Sequence, residues 1–177
     1  KREKEPKMIS LNLNIRGGMD MTAIELAYPV FLFATLILTL IMIPKNEYRE
    51  YLMYGFLVGG LGDVVNVTLL QNILGLIRFK NQGIFYVLGH HALSPLGWTL
   101  VIMLFLYFIP RRRIFLWLYI ISWGLMALGF AYTVHNIGLF DFQSWFYPLP
   151  AFIIFTAWFA FTAWLFSRTS SKAAKVE

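Results

Sequence analysis

Five long apolar runs, each closed by charged or turn-forming residues, occupy most of this chain after residue 22. Each run is close to the roughly 20 residues that an α-helix needs to cross the hydrocarbon core of a bilayer. A soluble domain of 177 residues has no way to enclose five such segments, because its helices would need polar outer faces. We therefore predict an all-α fold, a polytopic membrane bundle of about five transmembrane helices. The runs are Ala23–Ile43, Tyr51–Leu74, Ile84–Ile109, Ile114–Val134 and Tyr147–Phe166.

Composition narrows the classes of site and partner. The chain has no cysteine, which excludes disulfides, thiolate metal sites, iron–sulfur ligation and covalent haem attachment. The net charge of +6 arises from basic residues near the ends of the runs, so we ascribe it to membrane topology and expect no nucleic-acid partner. The expected organisation is a polar basic tail at 1–22, the bundle at 23–167 and a second tail at 168–177. The expected partners are the bilayer and either another protein or further copies of the chain.

Basic residues in the connections predict the orientation in the membrane. The rule that cytoplasmic loops are rich in lysine and arginine puts the first connection, the third connection and the C-terminal tail in the cytoplasm. The N-terminus is then outside, although its own tail is basic, and the protein is a multi-pass protein of the plasma membrane. Arg111, Arg112 and Arg113 are also expected to contact anionic lipid headgroups. The other cytoplasmic charges are Lys45, Arg49, Arg168, Lys172 and Lys175, against Arg78 and Lys80 outside.

A group of short motifs suggests a family. Ile43-Pro44-Lys45-Asn46 and Arg49-Glu50 follow the first run, Pro95 lies inside the third run, and Pro110 closes it. This arrangement resembles small five-span integral membrane proteins of Gram-positive bacteria. The resemblance covers most of the helical region and implies a fold and a bacterial plasma membrane. It carries no activity and no functional residues over to this chain.

Asp63 is the most central ionisable residue, about midway along the second run. A helix turning about 100° per residue would place Gly55, Gly59, Gly62, Asp63 and Asn66 within a sector of about 100°. One interpretation is helix packing, in which the glycines let two backbones approach and the polar pair forms interhelical hydrogen bonds. The other makes Asp63 a proton acceptor or cation ligand facing a hydrated cavity, with Asn66 beside it.

All three histidines lie in the third and fourth runs. Counted from the arginine turn between these runs, His91 and His135 fall within about one helical turn of the same depth. His90 is a further candidate but would point about 100° away from His91 on a helix. Pro95 would kink that helix and free the His91 carbonyl group.

Four hypotheses for the histidines remain open. They cap helix ends or bond across the helix interface, or His91 and His135 are the axial ligands of a b-type haem. Alternatively, two or three of them bind zinc or another divalent ion, with Asp141 as an additional ligand. The last hypothesis is pH sensing or proton relay.

The leading functional prediction is a non-catalytic membrane protein that serves as a subunit or binding partner in a larger assembly. One alternative is a haem- or quinone-binding redox subunit that uses His91 and His135. The other is a small proton- or ion-coupled transporter that uses Asp63. Enzymatic activity is disfavoured, because the sequence has no nucleophile–base arrangement, phosphate-binding loop or metalloprotease motif.

Overall fold

The structure, a computed structural model, describes residues 16–80, 85–87 and 89–170, with side chains from residue 26 onward. This part of the chain is mostly helical (76% helix). Its long helices alternate in direction along the chain. Each overlaps one predicted run, and all but the third extend beyond it. They are α1 (Arg16–Met42), α2 (Lys45–Ile73), α3 (Ser94–Tyr107), α4 (Arg113–Asn136) and α5 (Leu149–Thr169).

Helix α2 is continuous but irregular. It begins with a 3₁₀ turn at Lys45–Glu47 and contains two π-helical segments, Gly55–Gly60 and Thr68–Ile73. Such segments widen a helix locally and occur frequently at functional sites. Asp63 lies between the two segments, in the regular turn Leu61–Val67.

Four short strands lie at one end of the bundle, which we call the sheet end. Strands β1 (Ile77–Phe79) and β4 (Phe140–Phe142) pair antiparallel and join the α2–α3 connection to the α4–α5 connection. Strands β2 (Tyr86–Val87) and β3 (His90–His91) form a hairpin before α3. The all-α prediction was therefore incomplete. Strand pairing satisfies the backbone groups of these connections where water is scarce.

The opposite end, where α3 ends and α4 begins, carries the exposed triplet Arg111–Arg113, and we call it the arginine end. The end of α5 is held there against α2. The Tyr54 hydroxyl lies 2.8 Å from the Thr169 hydroxyl, and the Ser170 hydroxyl donates a hydrogen bond to Glu50.

Helix α3 lies at the centre of the bundle. The helix packs closely against α2, where a Cβ at Gly55 would lie 2.6 Å from the Thr99 carbonyl oxygen. Phe105 and Leu106 of α3 are fully enclosed. Gly62 lies on the other side of α2 and faces Trp158 of α5.

Within the described residues, three helices are long and apolar enough to cross a membrane: Lys45–Ile73, Arg113–Asn136 and Leu149–Thr169. The described residues also include two shorter apolar helices, Leu26–Met42 and Ser94–Tyr107. Large apolar side chains cover the outside of the bundle, among them Ile41, Ile73 and Ile114. So much exposed apolar surface is typical of a protein surrounded by lipid.

The third predicted span, Ile84–Ile109, was wrong in its first half. In the described part of 84–93 the chain forms β2 and β3, and helix α3 starts only at Ser94. Pro95 lies in the first turn of α3 and not in the interior of a helix. In the first turn the missing N–H group of a proline costs no hydrogen bond. The predicted kink at His91 is therefore absent. Gly89, His90 and His91 instead fold back against the bundle. Gly89 adopts a φ of 84°.

Candidate functional site

Asp63 is the buried polar centre of the bundle. Asp63 is only 3% exposed. It lines a cavity of about 70 Å³, which has room for a few water molecules. Nine of the nineteen lining residues are aromatic, and Asp63 is the only carboxylic acid among them. Among the described residues, no group hydrogen-bonds to its Oδ2 atom. A carboxyl oxygen without a partner is costly in an apolar interior, so this atom marks the place where a proton or ligand would act.

His90 faces Asp63 across a short gap. Its Nε2 atom lies 3.7 Å from Asp63 Oδ2, and its Nδ1 atom lies 3.3 Å from the carbonyl oxygen of His91. In the tautomer in which Nδ1 carries the hydrogen and donates to this carbonyl oxygen, the neutral ring presents a bare Nε2 to Asp63 Oδ2. Two acceptors then face each other across the gap. In that tautomer the pair can share one proton.

A separation of 3.7 Å is longer than a hydrogen bond, and a movement of about 1 Å would close it. The pair can therefore gain or lose a strong hydrogen bond through a small shift of the hairpin relative to α2.

His91 points away from this pair, because successive side chains of a strand alternate in direction. The ring is fully buried and stacks on Tyr28, with 3.9 Å between ring centroids, and on Phe85. The Leu93 N–H group donates to its Nδ1 atom. These contacts make His91 an anchor of the hairpin.

Sequence reasoning missed two members of the site, Tyr28 and Ser94. Both are buried, and the Ser94 hydroxyl interacts with the Tyr28 hydroxyl and the Asp63 carboxyl group. The only distinctive sequence neighbour of Tyr28 is Pro29, inside helix α1. No neighbouring motif marks Ser94 as a site residue, because its role depends on α3 starting there.

His135 belongs to a separate cluster at the sheet end. Its Nδ1 atom lies 2.8 Å from the Phe140 carbonyl oxygen and 3.6 Å from an oxygen of Asp141. Asp141 also forms an ion pair with Lys80. These contacts give His135 a structural role in holding β4.

The haem hypothesis finds no support in this geometry. Neither His91 nor His135 lines the Asp63 cavity, which at about 70 Å³ is far too small for a porphyrin. The prediction that His91 and His135 lie at the same depth assumed a helix through His91. That segment is a strand, so the assumption does not hold. For the metal hypothesis, the part of the chain that the structure describes holds no group of three or more acidic or histidine side chains placed to bind an ion. Instead, Asp63 lies beside His90, and Asp141 lies in a separate group with His135 and Lys80.

The remaining predicted residues have these positions. Asn66 is partly exposed and donates a hydrogen bond to the Gly62 carbonyl oxygen of its own helix, at 2.9 Å. Gly59, like Gly55, lies against the backbone of α3. The glycine face of α2 is thus used within the chain, against both α3 and α5.

A polar cleft of about 640 Å³ lies at the sheet end. Gln71 helps to shape it, since its amide group donates to the Gly89 carbonyl oxygen and accepts from the Phe79 N–H group. Ile77, Phe79 and Phe142 line both this cleft and the Asp63 cavity. The cleft and the Asp63 cavity therefore adjoin at these three side chains.

Comparison with models of known protein families, with curated proteins and with solved structures finds no match for this chain.

Proposed function

We propose that this chain is a small proton-coupled carrier of the plasma membrane, in which Asp63 and His90 bind the coupling proton. The observation that carries the proposal is the buried gap of 3.7 Å between two groups that can share one proton. Buried ionisable groups within a membrane domain are typical of proton pathways. The proposal includes five spans, an external N-terminus and a cytoplasmic C-terminus.

The polar cleft supports the same proposal. In the proposed orientation the sheet end faces outward, so the cleft is an entrance from outside. Three apolar side chains line both the cleft and the Asp63 cavity. Towards the arginine end, Phe105 and Leu106 in the core around α3 are fully buried. In the proposed carrier, access to Asp63 would therefore come from the outer side, with the other side closed as alternating access requires.

Infrared spectroscopy of reconstituted protein tests proton binding directly. We expect a band from a protonated buried carboxyl group that disappears as the pH rises and shifts in D₂O. Asp63→Asn should remove the band, and His90→Gln should shift it by changing the hydrogen bond. Asp141→Asn is the control, because that carboxyl group is partly exposed and paired with Lys80. A band that persists in Asp63→Asn, or no titrating band at all, would refute the proposal.

A role as a subunit of a membrane assembly is a second proposal. A lipid-facing groove of about 520 Å³ between α2 and α5 contains the partly exposed amide of Asn66, beside the small residues Gly62 and Ala157. Small residues and an amide are the features that favour helix association in lipid. A helix of a second copy would fill the groove and offer Asn66 a further hydrogen-bond partner beside the Gly62 carbonyl oxygen.

Cysteine cross-linking in membranes tests this second proposal, since the chain has no cysteine of its own. Ala157→Cys should form a disulfide-linked dimer on mild oxidation. Val65 is 65% exposed on α2 and lies outside the groove, so Val65→Cys should form much less of the disulfide-linked dimer. Equal yields from the two variants would contradict association through the groove, and a product of different mass would identify a different partner.

A further inference from the structure

We infer that the Asp63 cavity is a binding site for a small organic ammonium ion, which competes with the proton for the same carboxyl group. This inference rests on the proposed function, because it assigns the substrate class of the proton-coupled carrier. It is carried by the combination of one buried carboxyl group with an aromatic enclosure.

The first step is the choice of charge. The cavity holds one acidic side chain and no basic one among its described lining residues. When the shared proton leaves, a negative charge remains in an apolar interior, where it needs a counter-ion. A cation satisfies this need, whereas an anion would be repelled and a neutral molecule would leave the charge uncompensated.

The second step is the choice of an organic cation over a metal ion. Metal ions need several oxygen or nitrogen ligands, and the described part of the chain provides no such group here. The faces of aromatic rings instead attract ammonium ions, most strongly when water is excluded. Tyr28, Trp98, Phe130 and Trp158 are among the rings that line the cavity, so a bound ammonium ion would lie among aromatic rings instead of water.

The third step is the size of the ligand. A cavity of about 70 Å³ accommodates a group of only a few non-hydrogen atoms, comparable to a few water molecules. Methylammonium is of this size and remains charged at neutral pH. The Ser94 hydroxyl beside Asp63 provides an additional hydrogen-bond acceptor for its N–H groups.

Exchange with the proton follows from charge balance. The cavity starts with a proton on the Asp63–His90 pair, and the ammonium ion enters as the proton leaves. The net charge of the site is unchanged. Binding should therefore release about one proton per cation, and the affinity should fall about tenfold per pH unit on the acidic side of the titration.

The experiment measures methylammonium binding to the full chain in mild detergent, by tryptophan fluorescence and by calorimetry in buffers of different ionisation enthalpy. Trp98 and Trp158 line the cavity and report its occupation. We expect saturable binding that strengthens as the pH rises and releases about one proton. Methanol, a neutral molecule of similar size, should not bind measurably.

Variants define the site. Asp63→Asn should abolish binding, provided that it elutes as a single species on size exclusion. Trp158→Phe should weaken binding about threefold or more, because the indole ring is the better cation–π partner. Trp164→Phe is the matched control, since that ring is 54% exposed on the same helix. The comparison of Trp158→Phe with Trp164→Phe tests the inference even if Asp63→Asn does not fold.

The outcomes separate the inference from the proposed function. No methylammonium binding at any pH, beside a normal titrating carboxyl band, would overturn the inference and leave the proton site intact. Binding without that band would retain the cation site and refute the proton proposal. Binding that persists in Asp63→Asn, or that does not depend on pH, would overturn competition at Asp63.

Discussion

Replacing Gly59 by alanine is expected to lower the free energy of unfolding by about 3 kcal/mol or more. A Cβ atom at this position would meet the Trp98 carbonyl oxygen and lie 2.8 Å from the Trp98 carbonyl carbon. These atoms belong to the α3 backbone, so no side-chain rotation relieves the clash. The gain in helix propensity from glycine to alanine, about 1 kcal/mol, is too small to compensate. Helices α2 and α3 would have to separate, and Asp63 would lose its surroundings.

Thermal unfolding in mild detergent, followed by circular dichroism, measures this effect. Gly129→Ala is the control, because a Cβ at that position of α4 has no neighbour within 4 Å. We expect the control to be as stable as the original protein or slightly more stable. If Gly59→Ala and Gly129→Ala unfold at the same temperature, α2 and α3 do not approach as closely as the structure shows.

Phe105→Ala is expected to reduce stability by about 3–5 kcal/mol. The Phe105 ring is fully buried and lies 5.2 Å from the Tyr119 ring and 4.9 Å from the Phe159 ring, measured between centroids. In a membrane, helices associate through such van der Waals packing and not through the exclusion of water. Loss of this ring removes contacts of α3 with both α4 and α5.

Phe115→Ala is the matched control for this substitution, since the Phe115 side chain lies on the outer face of α4 and is 51% exposed. Truncation there exchanges a lipid contact for another lipid contact. Unfolding in mixed micelles with increasing denaturing detergent gives the two free energies. Similar losses in the two variants would argue against α3 as the centre of packing.

The sequence predicted the helical architecture because long apolar runs have one stable backbone solution in lipid. It also predicted Asp63 as the central polar residue and the glycine face beside it, because both depend only on the turn of one helix. The hairpin at His90–His91 was missed. Its residues continue an apolar run, and only the backbone geometry around Gly89 and the start of α3 at Ser94 separates the strand from the helix.

The partners of Asp63 were missed for the same reason. A predicted helix through His90 and His91 directed attention to His135, whereas the strand turns His90 toward Asp63. Tyr28 comes from a helix distant in sequence, so no spacing rule connects it with the site. Contacts between segments depend on how helices pack, and short loops do not determine that packing uniquely.

The short length of α3 has an electrical consequence. Its 14 residues cover about 21 Å, while the hydrocarbon core is about 30 Å thick. In the proposed carrier, a polar cleft and a hairpin would complete the thickness at the sheet end. The membrane voltage would then fall mainly across the region from Asp63 to the arginine end. A proton that moved between the cleft and Asp63 would cross only part of this voltage, and the return step through the core would bear most of the roughly 2.3 kcal/mol per 100 mV. Voltage would thus act chiefly on the step that exposes Asp63 to the arginine end.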